Sequence, residues 1–263
     1  MRNNKLQIAI PDGHLMTHIC PFLENAGIKL EGYCEEKIDY RPVLKLLSDK
    51  AKSYIKRPDL LSFKVIRPQD MPIHVSNSNF DIAISGQDWC EEQMLRFPSS
   101  PILFPRVFGN GDKEQEAFKL GFGKVRIVAA IHEKHENSVT DYIMSFRKIK
   151  QKEYFRVATE YVYIANDYAK RNNLNPYKII MTYGATESMI PEDCDMIVEN
   201  TETGNTIRQN NLKIIDQIME SEACFVVHKG SWESENEIVT DVSKKNLIRD
   251  VITLFNDFKS KSP

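Results

Sequence analysis

The 263-residue chain has no apolar run approaching the ~20 residues needed to cross a bilayer, so no membrane partner is expected. Its first residues, Met1-Arg-Asn-Asn-Lys5, lead straight into Leu6-Gln-Ile-Ala-Ile10, with neither an apolar signal core nor a small-residue cleavage site. Lys and Arg never form a long block and the formal charge is −2, which argues against a nucleic-acid partner. The five cysteines (20, 34, 90, 194 and 224) are odd in number, widely spaced and include no Cys-x-x-Cys pair. They read as reduced thiols of a cytoplasmic protein, neither a disulfide framework nor a zinc site. Two further absences narrow the chemistry. No Gly-Lys-Ser/Thr is present, so the nucleotide P-loop is excluded, and no convincing His–Asp or Cys–His pair offers a general base or an activated nucleophile.

What the chain does contain is an alternation of strand-like and helix-like segments, with no internal repeat. Leu6–Ile10 is a short apolar strand, and Leu15–Ala26 carries apolar residues at helical spacing before Gly27. Strands are expected at 61–67, 80–85, 125–131, 155–158, 178–183, 195–199 and 223–227. Helices are expected at 71–76, 87–95, 139–149, 162–172 and 244–258, with a helical turn at 207–212. Such alternation implies an α/β fold with parallel sheets covered by helices on both faces.

The most informative segment is Asp195-Met-Ile-Val-Glu-Asn-Thr-Glu-Thr-Gly-Asn-Thr-Ile207. An apolar strand ends in an acid, a turn of Thr, Gly and Asn follows, and a helix can open at Ile207. Backbone N–H groups, hydroxyls and a helix N-terminus would converge on one spot, with Gly204 permitting close approach of an anion. The acid before the loop suits a ligand with a phosphate at one end and hydroxyls nearby, such as a ribose 5-phosphate. A capped strand–turn–helix with no ligand has the same spacing.

The stretch Glu199-Asn-Thr-Glu-Thr-Gly-Asn-Thr-Ile-Arg-Gln-Asn-Asn-Leu212 resembles the phosphoribosyl-pyrophosphate loop of ATP phosphoribosyltransferases. Further similar segments follow in the family's order: Arg67-Pro-Gln-Asp-Met-Pro72, Asp81-Ile-Ala-Ile-Ser-Gly86, Leu120-Gly-Phe-Gly-Lys-Val-Arg126, Arg156-Val-Ala-Thr-Glu-Tyr161 and Gly184-Ala-Thr-Glu187. The resemblance implies a two-lobed α/β fold like type II periplasmic binding proteins, with the active site in the interlobe cleft. The expected lobes are 1–104 plus 213–263 and 105–212, joined near the loop-rich stretches 97–101 and 107–112. It also implies transfer of the 5-phosphoribosyl group from phosphoribosyl pyrophosphate to N1 of ATP, the first step of histidine biosynthesis, with Mg2+. Phosphoribosyl pyrophosphate would meet Glu199, Thr201, Thr203, Gly204, Asn205 and Thr206. Pyrophosphate or nucleotide would meet Asp12, Gly13, His14, Asp81, Lys124, Arg126, Arg156, Thr159 and Glu187. Asp70 is a further candidate, whereas His74 and His132 read as packed or surface histidines.

Two departures stand out. The family's Leu-Pro-Lys-Gly-Arg-Leu segment is Ile10-Pro-Asp-Gly-His-Leu15 here, so an acid and a histidine replace two cations where negative charge should gather. Asp12 is therefore a candidate magnesium ligand. The alternative is a changed base or nucleotide, or a two-lobed binding paralogue without turnover. The stretch 31–62 is longer than the family leads one to expect and is taken to reshape one wall of the site. Only Gly230–Pro263 follows the catalytic-like region, so a histidine-sensing domain and direct histidine feedback are not expected. A regulatory subunit resembling histidyl-tRNA synthetase, and a homo-oligomer, are expected instead.

Overall fold

The computed structural model describes residues 4–108, 112–135, 138–149 and 154–259. Part of the expected crossing at 107–112, namely 109–111, lies outside them. The chain divides into two compact units: Met1–Cys90, Ser99–Gly123 and Glu222–Pro263 form the first, Glu91–Pro98 and Lys124–Ser221 the second. No helix among the described residues is long and apolar enough to cross a membrane.

In chain order the first unit begins with β1 (Leu6–Pro11), α1 (His14–Asn25), β2 (Ile28–Glu31), β3 (Val43–Leu46), α2 (Asp49–Tyr54), β4 (Leu61–Ile66), α3 (Met71–Ser76) and β5 (Ile82–Gly86). Helix α4 (Gln87–Arg96) starts in the first unit and ends in the second, and β6 (Ile102–Leu103) is back in the first. The second unit holds β7 (Val125–His132), α5 (Val139–Ile149), β8 (Phe155–Thr159), α6 (Val162–Arg171), β9 (Tyr177–Met181), β10 (Met196–Thr201), α7 (Asn205–Gln209) and β11 (Leu212–Ser221). The first unit closes with β12 (Ala223–His228), α8 (Lys229–Glu233), β13 (Glu237–Val239), β14 (Val242–Ser243) and α9 (Lys244–Lys259).

The first unit's main sheet runs β4-β1-β5-β12-β6. Strand β1 lies parallel to β4 and β5, while β12 runs antiparallel to β5 and β6. Helix α1 turns Ile19, Phe22 and Leu23 inward, and α9 buries Leu247, Ile248, Val251, Ile252, Leu254 and Phe255. Phe22 and Phe255 stack with centroids 4.5 Å apart, and Phe225 meets Phe255 edge-on at 5.0 Å. Each such side chain contributes about 1.5–3 kcal/mol by leaving water.

The 31–62 stretch is not a loose charged insertion. It forms the β2–β3 hairpin and α2, whose Ser48 cap accepts from the Ala51 N–H at 3.0 Å. Tyr33, Ala51, Ile55 and Leu60 from it enter the first unit's core. It also overturns the reading of all five cysteines as free thiols: Cys20 on α1 and Cys34 are joined in a disulfide, with Cα atoms 5.8 Å apart. The sequence offered no such pairing because the two residues share no motif; folding of the hairpin onto α1 brings them together. Cys90, Cys194 and Cys224 are buried free thiols.

The second unit's sheet runs β11-β7-β10-β8-β9. Strands β10, β8 and β9 are mutually parallel, but β7 is antiparallel to both β10 and β11. Both sheets are thus mixed, where alternation had implied parallel ones. Residues 213–221, expected in the first lobe, are a strand hydrogen-bonded to β7 in the second unit. Residues 105–123, expected in the second lobe, belong to the first unit. Register shifts between Ile214 and Asp216, and between Gln217 and Met219, break the two-residue alternation of β11. A bulged strand of this kind carries no clean period to read.

Candidate functional site

In the second unit, the carboxyl ends of β8, β9 and β10 lie along one edge of the sheet, the place where open α/β sheets take ligands. Segments 160–161, 182–189 and 201–206 leave from that edge. The loop after β10 is held by its own residues. The Thr201 hydroxyl accepts from the Gly204 N–H at 2.8 Å, and Thr203 Oγ1 accepts from the Asn205 N–H at 3.4 Å. Arg208 reaches back to donate to Asn205 Oδ1 at 2.5 Å and to the Thr203 carbonyl at 3.2 Å. Gly204 has φ +76°, and a Cβ there would stand 3.2 Å from the Arg208 guanidinium, so both conformation and space call for glycine. Two expectations change here. The Gly204 amide is spent inside the loop, and α7 has only five residues, so its dipole is slight. The exposed Thr206 hydroxyl, by contrast, makes no hydrogen bond among the described residues.

Glu199 is half-buried just before this loop. Burial raises its carboxyl to about 7, with further upward pushes from Glu160 and Glu187; the Asn200 N–H and a Thr186 side-chain bond pull the other way. Glu160 is itself raised by burial. Three acids from the ends of three adjacent strands thus share one region, and Glu187 reaches it from the turn after left-handed Ala185. Across the sheet, Arg126 pairs in register with Thr201 and with Glu220. Lys124 lies just ahead of β7 at the same edge, and among the described residues neither it nor Arg126 has an ion pair.

Three expected contact residues are already engaged by the protein. Arg156, near the amino end of β8, forks its guanidinium onto Asp195 (3.0 and 3.2 Å), adds its backbone N–H to the same carboxylate at 2.9 Å and donates to the Glu192 carbonyl at 2.8 Å. Its fork is therefore occupied by the protein. Thr159 is fully buried, donating to the Val198 carbonyl at 2.6 Å and accepting from the Tyr161 N–H at 2.8 Å. In the first unit, Asp81 sits at the amino end of β5 and binds Lys244 at 2.7 Å, Ser231 at 2.6 Å and the Gln7 N–H at 2.8 Å. A buried carboxylate with three donors fastens α8 and α9 to the sheet and has no need of a ligand.

The first unit's own carboxyl edge carries Asp12, Gly13 and His14. Gly13 (φ +65°, ψ −145°) makes the turn from β1 into α1, a conformation almost confined to glycine. Asp12 lies 3.4 Å from Arg67 Nε at the end of neighbouring β4, and its N–H donates to the Ile66 carbonyl at 3.2 Å. Its second oxygen, Oδ1, is buried without a hydrogen-bond partner among the described residues. His14 and His18, one turn apart on α1, bring their rings to 5.1 Å. Asp70, on the short turn before α3, is exposed and caps nothing with its side chain.

The family model for ATP phosphoribosyltransferase (HisG) matches residues 67–249. The chain belongs to the ATP phosphoribosyltransferase family. An ATP phosphoribosyltransferase of Chlorobaculum parvum is 31% identical over 232 residues, covering 88% of this chain and 66% of that protein. One from Solibacter usitatus is 30% identical over 250 residues, covering 94% and 70%. The chain therefore spans about two thirds of the length of these relatives. Among solved structures, the ATP phosphoribosyl transferase (HisG:HisZ) complex of Thermotoga maritima aligns over 98% of this chain and 100% of that one, at 20% identity and TM-score 0.64. The periplasmic aliphatic sulphonate binding protein of Escherichia coli aligns over 98% and 69%, at 10% identity and TM-score 0.50. These two likenesses identify the two-lobed fold of type II periplasmic binding proteins.

Within the ATP phosphoribosyltransferase frame, sequence reading passed over Arg208 and His18. Arg208 sits three residues after Asn205, the spacing at which helical side chains meet, and His18 stands four after His14. Both spacings were visible signals. The Arg67–Asp12 approach had none, since 55 positions of chain separate the two.

Proposed function

We propose that the chain transfers the 5-phosphoribosyl group of phosphoribosyl pyrophosphate to N1 of ATP, releasing pyrophosphate, as the first step of histidine biosynthesis. The observation that carries this reading is the Glu199–Thr206 loop, in a member of this family, with Arg126 and Lys124 at the same sheet edge and without an ion pair among the described residues. The loop takes the 5-phosphate on Thr203, Asn205 and Thr206, and Glu199 accepts from the ribose hydroxyls. In the reaction the bond from the anomeric carbon to pyrophosphate oxygen breaks as the bond to N1 forms, and positive charge develops on the ribose. The electron pair of the breaking bond leaves with pyrophosphate, whose growing charge Arg126 and Lys124 stabilise. Adenine N1 carries no proton at neutral pH, so attack needs no general base and the work is positioning.

Mg2+ suits the first unit's turn: Asp12 Oδ1 is a buried carboxylate oxygen lacking a partner, the kind of donor a hard cation takes. Bound there, the ion would neutralise polyphosphate charge. Asp12 would hold it, with Arg67 beside it offering a second positive group. The Thermotoga maritima structure pairs HisG with HisZ, and a partner of that kind for this chain is part of the same proposal. Incubation with phosphoribosyl pyrophosphate, Mg2+ and a panel of nucleotides, following pyrophosphate release and product mass, tests it. A product of mass ATP plus phosphoribosyl, formed with ATP in preference to the rest of the panel, is expected. No release with any nucleotide would overturn the reading.

A further inference from the structure

The turn at Asp12–Gly13–His14 does not set its own aim. Gly13 gives α1 no side-chain cap, and among the described residues Asp12 bonds only toward β4, with one carboxylate oxygen left over. Its other flank is gripped by two consecutive residues from a distant loop. Tyr33 is fully buried, and its hydroxyl donates to the carbonyl of Pro11, the residue before Asp12. Burial, and then the charge of Asp12, push that hydroxyl well above the ordinary tyrosine range, so it stays a protonated donor. Cys34, next in the chain, is bonded to Cys20 on α1, six residues past His14. Residues 32–39 are themselves drawn tight: Asp39 N–H donates to the Gly32 carbonyl at 2.7 Å and Gly32 N–H to Glu35 Oε1 at 3.2 Å. The loop is thus braced within itself, and the disulfide ties its Cys34 end directly to the middle of α1.

We propose that Tyr33 is a positioning residue for the Asp12–Gly13–His14 turn, and that the Cys20–Cys34 disulfide locks it there, making the turn's grip on polyphosphate depend on the oxidation state of that bond. This rests on the reading of the turn as part of the polyphosphate site. The chemistry is thiol–disulfide exchange with a dithiol. One thiolate attacks a sulfur of the pair, the S–S bond breaks, and the departing cysteine takes a proton. The second thiol then resolves the mixed disulfide, so the protein gains two electrons and two protons while the dithiol becomes a disulfide. With the bond opened, the Tyr33 hydroxyl, core packing and the Val65 N–H donating to the Tyr40 carbonyl at 3.0 Å remain to hold the loop, and α1 loses its covalent tie to it.

The test is calorimetric titration of the full chain with Mg2+-pyrophosphate, which probes the turn, and with ribose 5-phosphate, which probes the 199–206 loop. Tyr33→Phe, which deletes one oxygen from a packed ring, and Cys34→Ser should each weaken pyrophosphate binding roughly tenfold and leave ribose 5-phosphate unchanged. Dithiothreitol should reproduce the Cys34→Ser effect in the unaltered protein and add nothing in that variant. Equal loss for both ligands would mean general disturbance and would overturn the proposal. Gly13→Ala separates the failures. If it loses pyrophosphate while Tyr33→Phe and Cys34→Ser do not, the positioning role is gone and the turn stays in the site. If none of the three loses it, the turn is not a polyphosphate site and the proposal goes with it.

Discussion

Two turns at strand ends are the proposed ligand sites of this protein, and they are built in opposite ways. The loop after β10 is held by neighbours within eight residues: Thr201 to Gly204, Arg208 to Asn205 and Thr203. The turn after β1 is held by Tyr33, Arg67 and Ile66, from other parts of the chain. A locally held loop keeps its shape wherever the strand–turn–helix occurs. A remotely held turn is only as well placed as its distant supports, and its chemistry can be altered by changes that never touch it.

The largest break in that contrast should come from Gly204→Ala. Left-handed φ and the nearby Arg208 both oppose a side chain. Phosphoribosyl-pyrophosphate affinity should fall on the order of a hundredfold while the fold survives, because the damage is local. Calorimetric titration alongside a melting curve checks both halves, and wild-type affinity would remove the loop from the site.

Next in size is Arg126→Ala. Among the described residues this guanidinium has no acidic partner, so its removal should cost little stability but weaken pyrophosphate binding roughly tenfold, with Arg126→Lys intermediate. Equal thermal and ligand losses would instead mark Arg126 as a structural residue.

Asp12→Asn sharpens the other side of the comparison. An amide is a poorer ligand for a hard cation, so the Mg2+ concentration for half-maximal turnover should rise roughly fivefold. If Asp12 merely stands in for a lost phosphate clamp, Asp12→Lys should improve use of ATP. Magnesium titrations of the two variants give opposite results under the two accounts, and no change in either excludes Asp12.

The smallest effect concerns Glu199. Its folded value of about 7 lies above the ordinary 4.5, so the protonated form is the one the fold favours. That contribution is complete below pH 4.5 and disappears as pH rises through about 7. Because the side chain is only half-buried, the change amounts to about 1 kcal/mol. Glu199→Gln should flatten the stability profile across that window in denaturant titrations; an unchanged slope would show that the acid is not perturbed.

The same contrast explains what could be read from sequence. The β10 loop was legible because every residue that shapes it is close by, and β1, α1, β5, α4 and α9 were legible because their apolar periods are clean. Strand β11 escaped because two bulges spoil its alternation. Helix α2 and the β2–β3 hairpin escaped because Lys, Glu and Asp dominate a stretch whose buried residues, Tyr33, Ala51 and Ile55, are sparse. Arg156 and Asp81 carry charges suited to ligands, and nothing in a linear chain says that Asp195 and Lys244 will claim them. The Cys20–Cys34 bond was hidden for a similar reason: its partners meet only after the hairpin folds back.

The Thr201–Gly204 and Arg208–Asn205 bonds have a kinetic consequence. They stand before any ligand arrives, so capture of a phosphate does not wait for the loop to order itself. Association should then be set by diffusion and by the field of Lys124 and Arg126, slowing steeply as salt rises, while mutations inside the loop act mainly on the rate of escape.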